Sequence, residues 1–100
     1  MKTHDIRCLR GEILKTLCYI PFEPVRVRGL LRALRPSGFP DLTDTSLMGE
    51  LKYLEAKRYI AIERVRNTVT EEEVTVVTIT ASGKDVKEKT ITDPGVTICE

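Results

Sequence analysis

Four arginines, Arg26, Arg28, Arg32 and Arg35, lie between Pro24 and Pro36 with no acid among them. Arg28, Arg32 and Arg35 are spaced four and three apart, so on a helix they stand on one face on successive turns. A guanidinium is always charged and presents a fork of donors that fits phosphate oxygens. Three of them could follow a phosphate backbone and fix register without reading bases. An ordinary solvated helix face has the same spacing, and the residues alone leave both readings open. Arg64 and Arg66 share one face of a strand and could reach a groove or flanking phosphates. They could equally pair with Glu71, Glu72 and Glu73, which sit between Thr70 and Val74 with no base among them. At a phosphate contact these carboxylates would oppose binding, most strongly at low salt. Either their loop points away from a nucleic acid, or it meets a basic protein surface.

Other chemistry has less to stand on. His4 and Cys8 are four apart, a spacing that can hold a metal, but two ligands are too few for a structural zinc site. Only Asp5 or the distant Cys99 could complete one, so no metal and no cofactor is expected. With one His, no glycine-rich phosphate loop and no nucleophile elbow, the chain does not read as an enzyme. Cys8, Cys18 and Cys99 are odd in number and form no CxxC, a pattern that fits reduced thiols in a cytoplasm.

These residues need elements to position them. At 100 residues, 41% hydrophobic and 31% charged, the chain is one soluble domain with an aliphatic core. It contains only five aromatics, and no apolar run approaches the ~20 residues of a membrane span. The start, "MKTHDIRCLRGEIL", lacks the apolar stretch of a signal peptide. The net charge of +1 is low for a strongly basic nucleic-acid binder. A first helix is expected over Thr3 to Tyr19, with Ile6, Leu9, Ile13, Leu17 and Ile20 as its stripe. Pro21 and Pro24 end it. A second helix is expected over Arg26 to Arg35, burying Val27, Leu30, Leu31 and Leu34, and "PSGFPD" (36–41) then breaks the chain. Thr43 can cap a third helix, with Leu42 and Leu47 as a hydrophobic staple and Leu47, Leu51 and Leu54 facing the core. The period then drops to two in "YIAIERVR" (59–66) and "VTVVTIT" (74–80). Thr80 can cap a short fourth helix, "ASGKDVKEK".

The order helix, helix, helix, hairpin, short helix resembles a winged helix-turn-helix. The segment "SLMGELKYLEAKRYI" (46–60) is similar to the third helix of small winged helix regulators, which runs into the first wing strand. "TITASGKDV" (78–86) is similar to the Thr-x-x-Gly turn after the second wing strand. Arg58 replaces the usual glycine before the first wing strand. "LTDTSLMGELKYLE" and "ITDPGV" also resemble segments of small winged helix proteins of Mu-like phages and prophages.

The resemblance implies an α+β winged helix-turn-helix over 1–89, with a three-helix core, a two-stranded wing, a short C-terminal helix and an extended tail over 90–100. It implies double-stranded DNA as partner and a role as a phage or prophage transcriptional regulator. The third helix would then present Thr45, Ser46, Gly49, Lys52 and Tyr53 to the major groove, a face lacking the Arg, Asn or Gln usual in base readout. The alternative is a protein-interaction module in phage assembly, without DNA binding. A homodimer is expected through Leu14 and Cys18, which widen the first-helix stripe, and through Ile91, Val96 and Ile98 of the tail.

Overall fold

A computed structural model describes residues 3–19 and 23–98, with side chains described from Ile6 onward. Ile20, Pro21, Cys99 and the side chains of His4 and Asp5 therefore lie outside the described residues. The elements are α1 (Thr3–Leu17), β1 (Val25–Arg26), α2 (Val27–Leu34), α3 (Asp44–Ala56), β2 (Ile60–Arg66), β3 (Glu73–Ile79) and α4 (Ala81–Lys87), with a 3₁₀ turn at Arg35–Ser37.

The helices follow their apolar spacing. Leu9, Ile13 and Leu17 of α1, Leu30, Leu31 and Leu34 of α2, and Leu47, Leu51 and Leu54 of α3 are all buried in one core. Ile60, Val77, Ile79 and Val86 close it from the sheet and α4. Thr43 caps α3 by accepting from the Ser46 amide at 3.2 Å, and Thr80 caps α4 by accepting from the Gly83 amide at 3.1 Å. Leu42 and Leu47 both sit in the core, where a staple puts them.

The sheet holds one strand that periodicity did not reveal. Val25 and Arg26 pair antiparallel with Val77 and Val76, giving the order β1-β3-β2. Two residues are too few to show a period of two, and Arg26 is the N-cap of α2 instead of its first residue. β2 and β3 pair in register from Ile60 opposite Ile79 to Arg66 opposite Glu73. Their far ends project as the wing.

The turn from α3 into β2 keeps its shape without glycine. Arg58 adopts φ 65°, and the last turn closes with the Arg58 amide on the Glu55 carbonyl at 2.9 Å and the Tyr59 amide on the Leu54 carbonyl at 3.0 Å. That is a Schellman end, which needs one left-handed residue and usually takes glycine there.

The tail is not a free arm. From Thr90 onward it has no helix or strand among the described residues, yet it folds back onto its own domain. The Thr97 amide donates to the Arg7 carbonyl of α1 at 3.1 Å, and Val96 is buried in the core. Gly11 permits this approach, since a β-carbon there would stand 2.0 Å from the Thr97 carbonyl oxygen. Two dimer expectations are corrected here. Leu14 is fully buried and Val96 nearly so, and neither offers surface to a second copy. The α1 stripe is wide because α1 packs against α2, α3, α4 and the sheet at once.

Cysteine chemistry also departs from expectation. Cys8 is disulfide-bonded, and Cys18 is the free thiol among the described residues. The odd count and the missing CxxC, which pointed to reduced thiols, carry no information about which cysteines the fold brings within bonding distance.

Candidate nucleic-acid interface

α2 and α3 form the helix-turn-helix pair, and the outward face of α2 carries the basic stripe. Arg28 and Arg32 are exposed and make no ion pair or side-chain hydrogen bond among the described residues. Arg35 differs from them. It lies in the 3₁₀ turn, and its Nε donates to the Leu42 carbonyl at 3.1 Å, bracing the connection into α3. Two of the three guanidinium groups are therefore free, and the third is partly committed to the fold.

α3 divides its polar residues between two jobs. Thr45, Gly49 and Lys52 are exposed opposite the Leu47–Leu51–Leu54 stripe. The Ser46 hydroxyl accepts from that of Thr43 at 3.1 Å, so it belongs to the cap as well as to the surface. Thr45, Ser46 and Gly49 also border a shallow hollow shared with Ile6, Leu9 and Glu50. Tyr53 is corrected outright as a groove-facing residue. Its ring lies under the Arg10 guanidinium, 3.6 Å from carbon to centroid, and its hydroxyl donates to Asp93 at 3.4 Å. Its neighbour Glu50 is equally occupied, paired to Arg10 at 2.7 Å.

The wing tip is a tied loop. The Asn67 side-chain oxygen accepts from the Val69 amide at 2.9 Å, and the Asn67 amide donates to the Glu72 carbonyl at 2.8 Å. Glu71 takes φ 58°, while Glu71, Glu72 and Glu73 are all exposed and Val69 is 89% exposed. Arg64 and Arg66 are exposed on β2 and make no ion pair with these glutamates. Glu72 and Glu73 instead share a groove with Arg26 and Arg28 at the start of α2. The acidic knob thus stands beside one end of the basic stripe, a juxtaposition that sequence distance hides.

The remaining candidates are scattered. Ile91 is 40% exposed and Ile98 half-buried on the tail. Cys18 is half-buried beside Lys15, Tyr19 and Lys87. Burial raises its pKa, outweighing the opposing charges of Lys87 and Lys84. Among the described residues no cluster of three or more His, Cys, Asp or Glu could hold a metal ion. No described helix is long and apolar enough to cross a membrane.

Three crystal structures share the fold. A proposed transcriptional regulator of Thermoplasma acidophilum superposes with a TM-score of 0.70 at 22% identity, over 81% of this chain and 74% of that one. A PadR-like transcriptional regulator of Bacillus cereus gives 0.64 at 22% identity, over 81% and 75%. A Streptococcus transcriptional regulator gives 0.64 at 16% identity over the same shares. This chain has the winged helix fold. No protein-family model and no curated protein matches its sequence. In winged helix terms α3 is the recognition helix and the β2–β3 hairpin is the wing. What sequence reasoning missed was the polar cluster of Arg10, Glu50, Tyr53, Tyr59 and Asp93. Its traces were "ITDPGV", which supplies Asp93, and "SLMGELKYLEAKRYI", which supplies Glu50, Tyr53 and Tyr59.

Proposed function

We propose that this winged helix protein binds double-stranded DNA and regulates transcription in the cytoplasm, acting as a homodimer. The observation that carries the proposal is that Arg28 and Arg32 on α2 and Lys52 on α3 are exposed and unpartnered among the described residues. They stand on the two helices of the helix-turn-helix, in a fold shared with three transcriptional regulators, which supports the reading. α3 lacks the residues of strong base readout, so affinity rests mainly on phosphates and is salt-dependent. A homodimer would double the phosphate contacts and supply two half-sites. Its contact would use the half-buried Cys18 and the exposed Ile91. The finer assignment to a phage or prophage rests on the resemblance at "LTDTSLMGELKYLE" and "ITDPGV".

The test is affinity for a mixed-sequence duplex across a salt series, for the wild type and for the variant with Arg28→Ala and Arg32→Ala. The expected result is weaker binding with the salt slope reduced by about two, one per phosphate contact removed. Superimposable curves would take the stripe out of the site. The exposed Glu71–Glu73 and Val69 favour a second reading, a basic protein partner at the wing tip. Replacing the three glutamates with Gln leaves DNA affinity equal or higher on the first reading and abolishes a protein complex on the second.

A further inference from the structure

α3 is held by its apolar stripe and also by polar groups beside the stripe. Leu47, Leu51 and Leu54 fix where the helix axis lies and which face turns inward, and the groups that grip its flank set the final rotation about that axis. Glu50 and Tyr53, three apart, form that flank. Arg10 from α1 reaches across both. Its Nε donates to Glu50 at 2.7 Å, its Nη1 donates to the Gly95 carbonyl at 2.9 Å, and its plane covers the Tyr53 ring. One guanidinium therefore ties α1, α3 and the tail together.

Asp93 completes the grip from the tail side. It is 7% exposed and accepts from the Tyr59 hydroxyl at 2.5 Å, the Gly95 amide at 2.7 Å and the Tyr53 hydroxyl at 3.4 Å. The Val96 amide donates to the Asp93 carbonyl at 3.1 Å, which folds Asp93–Val96 into a turn. Gly95 lies so close that a β-carbon there would stand 1.9 Å from the Tyr53 hydroxyl. Among the described residues no buried side-chain polar atom in this cluster lacks a partner. A satisfied buried network of this kind has one good arrangement, and losing a member leaves charge uncompensated.

We infer that Asp93 and Gly95 of the tail, with Arg10, are positioning residues for the recognition helix: they set the rotation at which Thr45, Gly49 and Lys52 meet a duplex. The inference rests on the DNA-binding reading above. On that reading the three act through α3 and supply no phosphate contact of their own, so disturbing them changes affinity without removing one.

The experiment uses the full chain with Asp93→Asn, Gly95→Ala and Tyr53→Phe. A mixed-sequence duplex is titrated across a salt series, and amide exchange is followed segment by segment in the free proteins. Each variant is expected to bind roughly two- to thirtyfold more weakly, the range over which residues touching neither ligand alter binding. The salt slope stays that of the wild type, and exchange accelerates in α3 while the β2–β3 ladder stays protected. A reduced slope would mean a lost phosphate contact and overturn the positioning role. Unchanged affinity overturns it too. Acceleration spread evenly over α1, α3 and the sheet, in the mild Tyr53→Phe variant as well as the others, would reduce the cluster to general stability and also overturn it. If the wild type binds no duplex, the DNA reading fails first and exchange decides alone. Acceleration confined to α3 keeps the clasp, and unchanged α3 exchange ends it.

Discussion

Asp93 and Tyr59 fix one another's protonation state, and the sign of each shift sets a pH window. Burial opposes the charge of Asp93. Hydrogen bonds from Tyr59, the Gly95 amide and Tyr53, with the charge of Lys57 nearby, outweigh it and hold the carboxyl below its ordinary range. A depressed carboxylate stabilises the fold fully above its unfolded pKa, about 4, and loses that contribution as pH falls through the folded value. The Tyr59 hydroxyl, pushed from 10.0 to about 12 by its bond to Asp93, then by burial and by that same charge, behaves oppositely. Its contribution is full below pH 10.0 and is lost as pH rises toward about 12. Thermal unfolding of the wild type and Asp93→Asn should therefore differ by a constant amount between roughly pH 5 and 9, and converge below about pH 4. A gap that persists undiminished in acid would show that the carboxylate's charge is not what binds the tail. Single residues were legible only in part. Arg28 and Arg32 stand on an open face as their spacing required, while Tyr53 and Leu14, given to outer surfaces by spacing, face inward. Helical spacing assigns a residue to a face, and only packing decides what covers that face.

Helix starts were legible and helix ends less so. Thr43 and Thr80 cap α3 and α4 because a hydroxyl three residues before an amide satisfies a donor that the helix leaves open. The ends of both helices require a left-handed residue, and this chain supplies Arg58 and Lys89, each at φ 65°. A left-handed non-glycine residue costs about 1–2 kcal/mol, and the greater freedom of glycine in the unfolded chain returns part of any gain. Arg58→Gly should therefore stabilise the domain by about 0.5–1 kcal/mol and raise Tm by roughly 3–6 °C in a thermal melt. A lower Tm would mean that the Arg58 side chain contributes more than its backbone costs. β1 was not legible, because two residues between Pro24 and α2 carry no periodicity. Pairing with Val76 and Val77 makes them a strand.

At the scale of the whole molecule the tail is the decisive segment. It brings Val96 into the core, Asp93 onto two tyrosines and Gly95 onto Arg10. Truncation after Lys89 removes all three. Burying one aliphatic side chain is worth about 1.5–3 kcal/mol, so Tm should fall by roughly 10 °C for a domain of this size. A truncated chain that melts with the wild type would make the tail a bystander, and light scattering on the same pair shows whether it also governs association. By itself the sequence determined the helices, the wing and the caps, because apolar periodicity, β-branched alternation and capping chemistry act over neighbouring residues. It also marked the open arginines of α2. Only the tertiary structure decided that Arg35 braces a turn, that Glu72 and Glu73 sit beside Arg26 and Arg28, and that Asp93 reaches Tyr53. Those facts depend on which distant segments the shared core brings together, and residue spacing along the chain carries no record of that.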